Sequence, residues 1–333
     1  MADAKLSGEI YKNATSAWHQ YLSDLSPLRP ALFRYCRSLT GNPWDADDLV
    51  QETLMRGFSI LGFGQAEITE PRAYLLRIAS NAWIDWQRRK AVEVSALDQI
   101  AAVSPQHASS GHEDVAAVRD AGAVLMQNLA PQERAAVVLK DLFDMSLEES
   151  ARILGSSIGA IKAALHRGCS RLQDAQSSDA QSTRPKPRMN PSKALLDRFA
   201  QLYNERDMSG LVALMLDDGG IEMMGVEMEV GRKWFERKET GWFAHNFQLT
   251  PPGTRWEPID YNGEPIVLVL AKHEGKGVLL SVMRLEAIDD RISRIRSYAF
   301  SPEILDEVAS TLGLLRGPAM YSLLDLARKG EVA

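Results

Sequence analysis

Residues 146–171, SLEESARILGSSIGAIKAALHRGCSR, read as two short helices joined by a glycine turn. Ser146 and Glu149 stand in the S-x-x-E spacing of a capping box, in which each side chain satisfies a backbone N–H left unpaired at a helix start. The helix they begin is expected to run to Leu154, and Gly155-Ser156 permits a sharp turn. Ser157 is placed to cap the second helix. Its apolar positions Ile161, Leu165 and Leu172 keep one face packed, while Lys162, Ala163, His166 and Arg167 lie on the other. Such a face suits a major groove, where the second helix of a helix-turn-helix reads base edges and its cations reach phosphates. An ordinary helical hairpin within a bundle is the competing reading.

Around this stretch lie 333 residues, 45% hydrophobic and 25% charged, enough for two or three cores of ordinary size. The net charge of -6 excludes a protein that clamps DNA by electrostatics alone. Basic residues are instead local: Arg72, Arg77, Arg88, Arg89 and Lys90 crowd one segment, and Lys162, His166, Arg167 and Arg171 another. A DNA reader so weakly charged is expected to work with a larger partner. No apolar run approaches the roughly 20 residues that span a bilayer, and MADAKLSGEI does not lead a basic segment into a hydrophobic one. A cytoplasmic location is expected. Cys36 and Cys169, the two cysteines, stand far apart, so free thiols are expected rather than a disulfide or zinc site.

Two N-terminal stretches carry further chemistry. In residues 44–58, WDADDLVQETLMRGF, helical spacing puts Asp48, Gln51 and Glu52 on one stripe with Leu49, Thr53 and Arg56 beside it. The stripe can accept charge-assisted hydrogen bonds from a partner's arginines. A solvated acidic face competes with that reading. So does a divalent-metal site built from Asp45, Asp47, Asp48 and Glu52, although no glycine-turned loop supplies an oxygen cage. In residues 71–90, PRAYLLRIASNAWIDWQRRK, Leu75, Ile78, Ala79, Ala82 and Trp86 form an apolar stripe, and Arg77, Asn81, Asp85 and Arg88 share another face. That mixture suits single-stranded DNA: rings such as Trp83 and Trp86 offer stacking surfaces, arginines hold the backbone and an asparagine bonds a base edge. Core packing of both tryptophans is the alternative.

Residues 129–172, LAPQERAAVVLKDLFDMSLEESARILGSSIGAIKAALHRGCSRL, resemble nearly end to end the fourth conserved region of extracytoplasmic-function (ECF) sigma factors, which reads the minus-thirty-five promoter element. The resemblance implies that Ser157, Lys162, Ala163, His166 and Arg167 hold the DNA-contacting positions. The sequence departs from the pattern at Ala163-Ala164, where Ser-Arg is usual, and at Gly168-Cys169, where Ala-Arg is usual, which removes donors from this face. Residues 44–58 look like the helix by which sigma factors grip the polymerase clamp. This implies that Asp48, Leu49, Gln51, Glu52 and Arg56 bind core RNA polymerase. Residues 71–90 resemble the second conserved region, which captures a flipped base of the minus-ten element. That implies DNA-binding roles for Arg77, Asn81, Trp83, Arg88 and Arg89 and for the loop 62–71.

The expected division is a region 2 unit over 8–92, a linker over 93–112, a region 4 unit over 113–175, a polar proline-bearing linker over 176–190 and a third domain over 191–333. In the third, Pro191 to about Leu216 reads as helix. Strand-like runs follow over 254–261, 265–272, 278–287 and 291–300, with Asn262-Gly263 as a hairpin turn. The fold class expected is therefore two all-α sigma domains plus an α+β domain with helices against one face of a curved sheet. The α+β part resembles the SnoaL-like fold, a conical barrel with a pocket that some ECF groups carry as a C-terminal extension. The resemblance implies regulation by intramolecular contact with the sigma regions, and Asp217-Asp218-Gly219-Gly220 is similar to an Asp-Gly-rich turn of such fusions. Enzymes of the fold use a pocket Asp or His, for which Asp217, Asp218, His245, Asp260 and His273 are the candidates here. Arg184, Lys186, Arg188, Lys193 and Arg198 in and after the linker are either a solvated tether or contacts to the sigma regions or DNA.

The expected function is that of an alternative sigma factor with core RNA polymerase and promoter DNA as partners, with no enzymatic step, cofactor or metal. Two other classes stay open: a conventional helix-turn-helix regulator with a ligand-sensing C-terminal domain, and an enzyme fused to a sigma module.

Overall fold

Gly41 ends one helix and Pro43 begins the next. In the computed structural model of the chain, α1 (Arg29–Thr40) stops where Gly41 takes φ 82° and returns its N–H to Arg37 O at 3.0 Å. Asn42 Oδ1 then accepts from Asp45 N at 2.8 Å as α2 (Pro43–Gly62) starts. The structure describes residues 20–62, 68–98, 128–177, 191–223, 227–237, 241–273 and 275–317, with residues 17 and 126 besides. Two units result, Met1–Ser182 and Thr183–Ala333. Among the described residues no helix is long and apolar enough to cross a membrane.

In the first unit α1, α2 and α3 (Pro71–Asp98) share a core of Leu32, Phe33, Leu39, Leu49, Leu54 and Leu75. Buried polar groups inside it are paired, as burial requires: Tyr35 Oη lies 2.7 Å from Ser80 Oγ, and Arg29 reaches the buried Asp47 at 3.2 Å. Helix α3 continues to Asp98, beyond the boundary expected at 92, because AVEVSALD contains neither glycine nor proline to stop it.

Helix α4 (Pro131–Val137) opens with Pro131 and with Glu133 Oε2 accepting from Ala130 N at 3.1 Å. A five-residue π turn (Val138–Leu142) follows, and Asp144 at φ 50° reverses the chain into α5 (Leu147–Ile153) and α6 (Ile158–Ser177). Their core is made of small residues, Ala136, Ala151 and Ala164 around Ile161. A Cβ added to Gly168 would lie 3.1 Å from Val137 Cγ2, so the glycine there lets α4 and α6 cross closely.

The second unit starts with α7 (Lys193–Asn204), capped by Ser192 Oγ, and α8 (Met208–Leu214), capped by Asp207 Oδ1. The single helix expected to Leu216 is thus two, parted at Arg206, whose φ is 55°. Residues 215–220 are not a turn either: Asp217, Asp218, Gly219 and Gly220 lie within strand β1 (Met215–Met223). Parallel pairing of β1 with β6 (Arg291–Ser297) outweighs their turn propensity, and a register shift between Met215 and Gly220 accommodates them. At Gly219 a Cβ would meet Leu216 O at 3.0 Å.

The remaining elements are β2 (Glu227–Val230), α9 (Arg232–Phe235), α10 (Trp242–Leu249), β3 (Arg255–Tyr261), β4 (Glu264–His273), β5 (Lys276–Ile288), α11 (Pro302–Leu312) and β7 (Leu315–Arg316). The expected hairpin is present, with Asn262 at φ 54° and Gly263 at φ 79°. The strand order is β2-β1-β6-β5-β4-β3, with β7 joined to β5, so the expected helix-then-meander α+β order is realised with the sheet open at β2 and β3. Helices α7, α8 and α10 share one hydrophobic core with Val267, Val269, Leu280, Met283 and Ile295 of the sheet. Tyr203 lies at its centre, stacked on Trp256 at 4.7 Å between ring centroids. On β3, Asn204 bonds both the N–H and the C=O of Trp256 at 2.9 Å, and Pro258 follows two residues later.

Candidate nucleic-acid and polymerase interfaces

The capping box forms as the spacing requires. Ser146 N donates to Glu149 Oε2 at 2.8 Å and Glu149 N to Ser146 Oγ at 3.1 Å, and the first of these bonds is the chief cause that holds the Glu149 carboxyl below the usual range. Gly155 takes φ 58° in the turn, and Ser157 Oγ accepts from Ala160 N at 3.2 Å. Ser157 therefore serves first as the cap of α6. The exposed side of α6 carries Lys162, Ala163, His166 and Arg167, with Ile158 ahead of them. Arg167 is not wholly committed to solvent: its Nε donates to Glu133 at 3.0 Å, and Arg171 donates to the same carboxylate at 2.7 Å. Glu133, only 3% exposed, was not singled out in the sequence, where its one visible signal is its place three residues after Ala130, the residue that precedes α4.

On α3, Arg77, Asn81, Arg88, Arg89 and Lys90 are exposed, and Asp85 lies between the cations of Arg56 at 3.6 Å and Arg88 at 3.8 Å. This is an open cationic flank with an amide in its middle. Trp83 does not belong to it. The ring is 4% exposed and covered by the guanidinium of Arg134, 5.5 Å from its centroid, so the expected stacking surface is closed in this arrangement. Trp86 is half-buried and donates Nε1 to Glu52 at 3.1 Å.

On α2 the expected docking stripe is corrected at one position. Leu49 is fully buried in the core, because it falls on the inward side of the same helical turn that presents Asp48 and Glu52. Asp48, Gln51, Glu52 and Arg56 are half-exposed, with Arg56 paired to Glu52. Beside them Met55, 55% exposed, and Ile60, 50% exposed, line an open surface together with Ser59. The sequence showed the acidic stripe and missed this apolar centre. The four carboxylates considered for a metal diverge, since Asp47 turns inward to Arg29 while Asp45 bonds Asn42. Among the described residues no three His, Cys, Asp or Glu side chains are grouped to hold a metal ion.

The two helical modules, expected to be held apart by a tether, touch within the first unit. Arg134 of α4 donates Nη1 to Leu39 O of α1 at 2.6 Å besides covering Trp83 of α3. Phe143 packs edge-on to Tyr35 at 5.4 Å and lies under Arg72 at 5.9 Å. Arg152 pairs with Glu70 at 3.2 Å. A cleft of about 230 Å³ is left between Ile84 of α3 and Gln132, Ala160, Ala163 and Arg167.

In the second unit two of the acid/base candidates, Asp217 and Asp260, are engaged by other groups. Asp217 is exposed and paired with Arg232 at 2.9 Å and Arg291 at 3.6 Å, and the Arg232 bond holds its carboxyl below the usual range. Asp218 is exposed on the same strand. Asp260 accepts from Gly263 N at 2.8 Å and so closes the hairpin. His245 lies in α10 and His273 ends β4, but their side chains fall outside the described residues, as do Arg184, Lys186 and Arg188. Lys193 pairs with Asp197 and Arg198 with Gln201 along α7.

A helix-turn-helix beside a helical module that bears an open cationic flank on α3 and an acidic, partly apolar face on α2 is an arrangement that suits a protein of transcription initiation. Residues 25–92 match Sigma-70 region 2, and residues 123–172 match Sigma-70 region 4. The chain is 35% identical over 144 residues to the RNA polymerase sigma-E factor of Streptomyces avermitilis, which spans 43% of this chain and 78% of that protein. It is 29% identical over 221 residues to the ECF RNA polymerase sigma factor SigG of Mycobacterium tuberculosis, 59% of each chain. The crystal structure of the M. tuberculosis extracytoplasmic function sigma factor SigJ aligns with a TM-score of 0.30 and 18% identity, over 83% of this chain and 95% of that one. The chain belongs to the ECF RNA polymerase sigma factor family. It is a promoter-directing alternative sigma factor.

Proposed function

We propose that the work of initiation is divided among three surfaces. Asp48, Gln51, Glu52 and Arg56, around Met55 and Ile60, dock on core RNA polymerase. Arg77, Asn81, Arg88 and Arg89 hold the separated minus-ten strand, and Lys162, Ala163, His166 and Arg167 read the minus-thirty-five duplex. The observation that carries the division is the exposure of these groups on three helices, α2, α3 and α6, whose opposite faces are buried. Backbone cations with an amide suit unstacked bases, and a capped second helix with small residues at its start suits a groove.

The domain over 191–333 regulates this activity by contact with the sigma regions, without a chemical step or cofactor. Supporting that reading, Asp217 and Asp260 are engaged in an ion pair and a hairpin turn. The deciding experiment is run-off transcription with purified core enzyme, comparing the full chain with a version ending at residue 190. Higher output identifies the domain as an inhibitor and a collapse as an activator; unchanged output removes the regulatory role. Core enzyme that gains no promoter selectivity from the full chain removes the assignment of the three surfaces.

A further inference from the structure

Two arginines from successive turns of α6 converge on one carboxylate of α4. Arg167 Nε bonds Glu133 Oε1 at 3.0 Å and Arg171 Nη1 bonds Glu133 Oε2 at 2.7 Å, while Ala130 N donates to Oε2 at 3.1 Å. The Glu133 side chain is 4% exposed, whereas those of Arg167 and Arg171 are 56% and 50% exposed. Like charges four residues apart on a helix repel, and a carboxylate beneath both of them offsets that repulsion. Each guanidinium spends one N–H donor on this seat and keeps its other donors for solvent or a ligand. Two cations over one anion leave a surplus positive charge, carried by groups whose direction is already set.

Helix geometry says where the pair points. Gly168 abuts α4, where an added Cβ would lie 3.7 Å from Glu133 Cβ. At about 100° per residue, His166 faces about 160° away from that contact, and Arg167 and Arg171 stand about 100° and about 60° from it on one flank. The front of a helix in the major groove meets base edges, and its flanks meet the phosphate walls. The Nε edge of Arg167 is drawn toward α4 and so away from the front. A phosphate accepts from two guanidinium groups at once, which suits a pair set side by side better than a single base edge does.

We propose that Glu133 seats Arg167 and Arg171 as a paired clamp for one backbone phosphate beside the minus-thirty-five element, leaving discrimination among bases to Ala163 and His166. The inference rests on α6 lying in that duplex. It adds Arg171 to the contact surface and makes Arg167 a grip on the backbone. Glu133 acts through the two arginines and is a positioning residue.

The test uses holoenzyme assembled from core polymerase and the full chain. Its probes are a promoter pool randomised over the minus-thirty-five element and a duplex selected from that pool, carrying single uncharged methylphosphonate linkages. Arg167→Ala and Arg171→Ala should each lower affinity about threefold to tenfold across the whole pool. Each should also reduce the slope of log affinity against log salt by about one and leave the base preferences unchanged. His166→Ala should alter those preferences. Neutralising one particular phosphate should weaken wild-type binding about threefold to tenfold, and neither arginine variant should respond further at that linkage. Glu133→Gln keeps both cations, so its salt slope should not fall while its response at that linkage shrinks, a combination that loss of fold does not produce. A changed base preference in Arg167→Ala makes that residue a reader and overturns the clamp. So does a wild-type profile in which no single linkage depends on Arg171. Wild-type holoenzyme that selects no sequence over the element removes the α6 assignment itself, a failure visible before any variant is compared.

Discussion

Arg167 Nε donates to the buried carboxylate of Glu133 across 3.0 Å, which ties α6 to the first turn of α4. Arg171 and the Ala130 N–H complete the set around the same carboxylate. Three donors explain how a carboxylate is tolerated with almost no exposure. They also fix the direction in which Arg167 leaves α6.

Replacing Glu133 with Ala should therefore destabilise the first unit by about 1–3 kcal/mol, because two arginines and a helix start lose their acceptor together. Arg171→Ala removes a half-exposed partner and should cost only about 0–1 kcal/mol. Urea unfolding of the two variants checks the ranking. Equal losses would show that Glu133 does not organise the site.

The capping box gives a pH dependence with a definite sign. Glu149 is held below its ordinary carboxyl range chiefly by the Ser146 N–H. Its contribution is complete above the unfolded value near 4.3 and is lost as the pH falls through the lower folded value. Hydrogen exchange at the start of α5 should accelerate over that acidic window beyond its intrinsic pH trend. Glu149→Gln should lack the extra component.

On α2, burial separates Leu49, which holds the core, from Met55 and Ile60, which are proposed to dock. Leu49→Ala should cost about 2–5 kcal/mol of stability. Met55→Asp and Ile60→Asp, at exposed positions, should leave the melting temperature nearly unchanged and weaken binding to core polymerase by about tenfold or more. Calorimetry and a core-binding titration distinguish the two effects.

On α3, Asn81→Ala should reduce promoter melting, read by permanganate reactivity of unpaired thymines, while leaving minus-thirty-five protection intact. Arg88→Ala removes a cation whose side chain is 71% exposed, and should lower the salt dependence of promoter binding by about one unit of slope. If neither variant changes melting or the salt slope, the single-strand face is misplaced.

What could be read in the sequence was what nearby residues decide among themselves. Ser146 and Glu149, Gly155, Ser157 and Asn262-Gly263 act over three or four residues, and each adopts the geometry its chemistry implies. Asp217 to Gly220 carry turn propensity, yet they lie within a strand that pairs on both sides of them, at Met215 and from Gly220 on, with residues some seventy positions later, and that long-range contact decides. Trp83 and Leu49 share helices with exposed functional groups, and only the packing partner tells inward from outward. Arg134 gave no signal in the sequence, since its partners Leu39 and Trp83 belong to a different module.

The outer strand β3 ends the order of the sheet, and there Asn204 occupies the hydrogen-bonding groups of Trp256 while Pro258 supplies no N–H of its own. A stray polypeptide aligning there meets a ladder with its rungs already taken or missing. The long margin of the C-terminal domain is thereby poorly suited to seed fibrous aggregation.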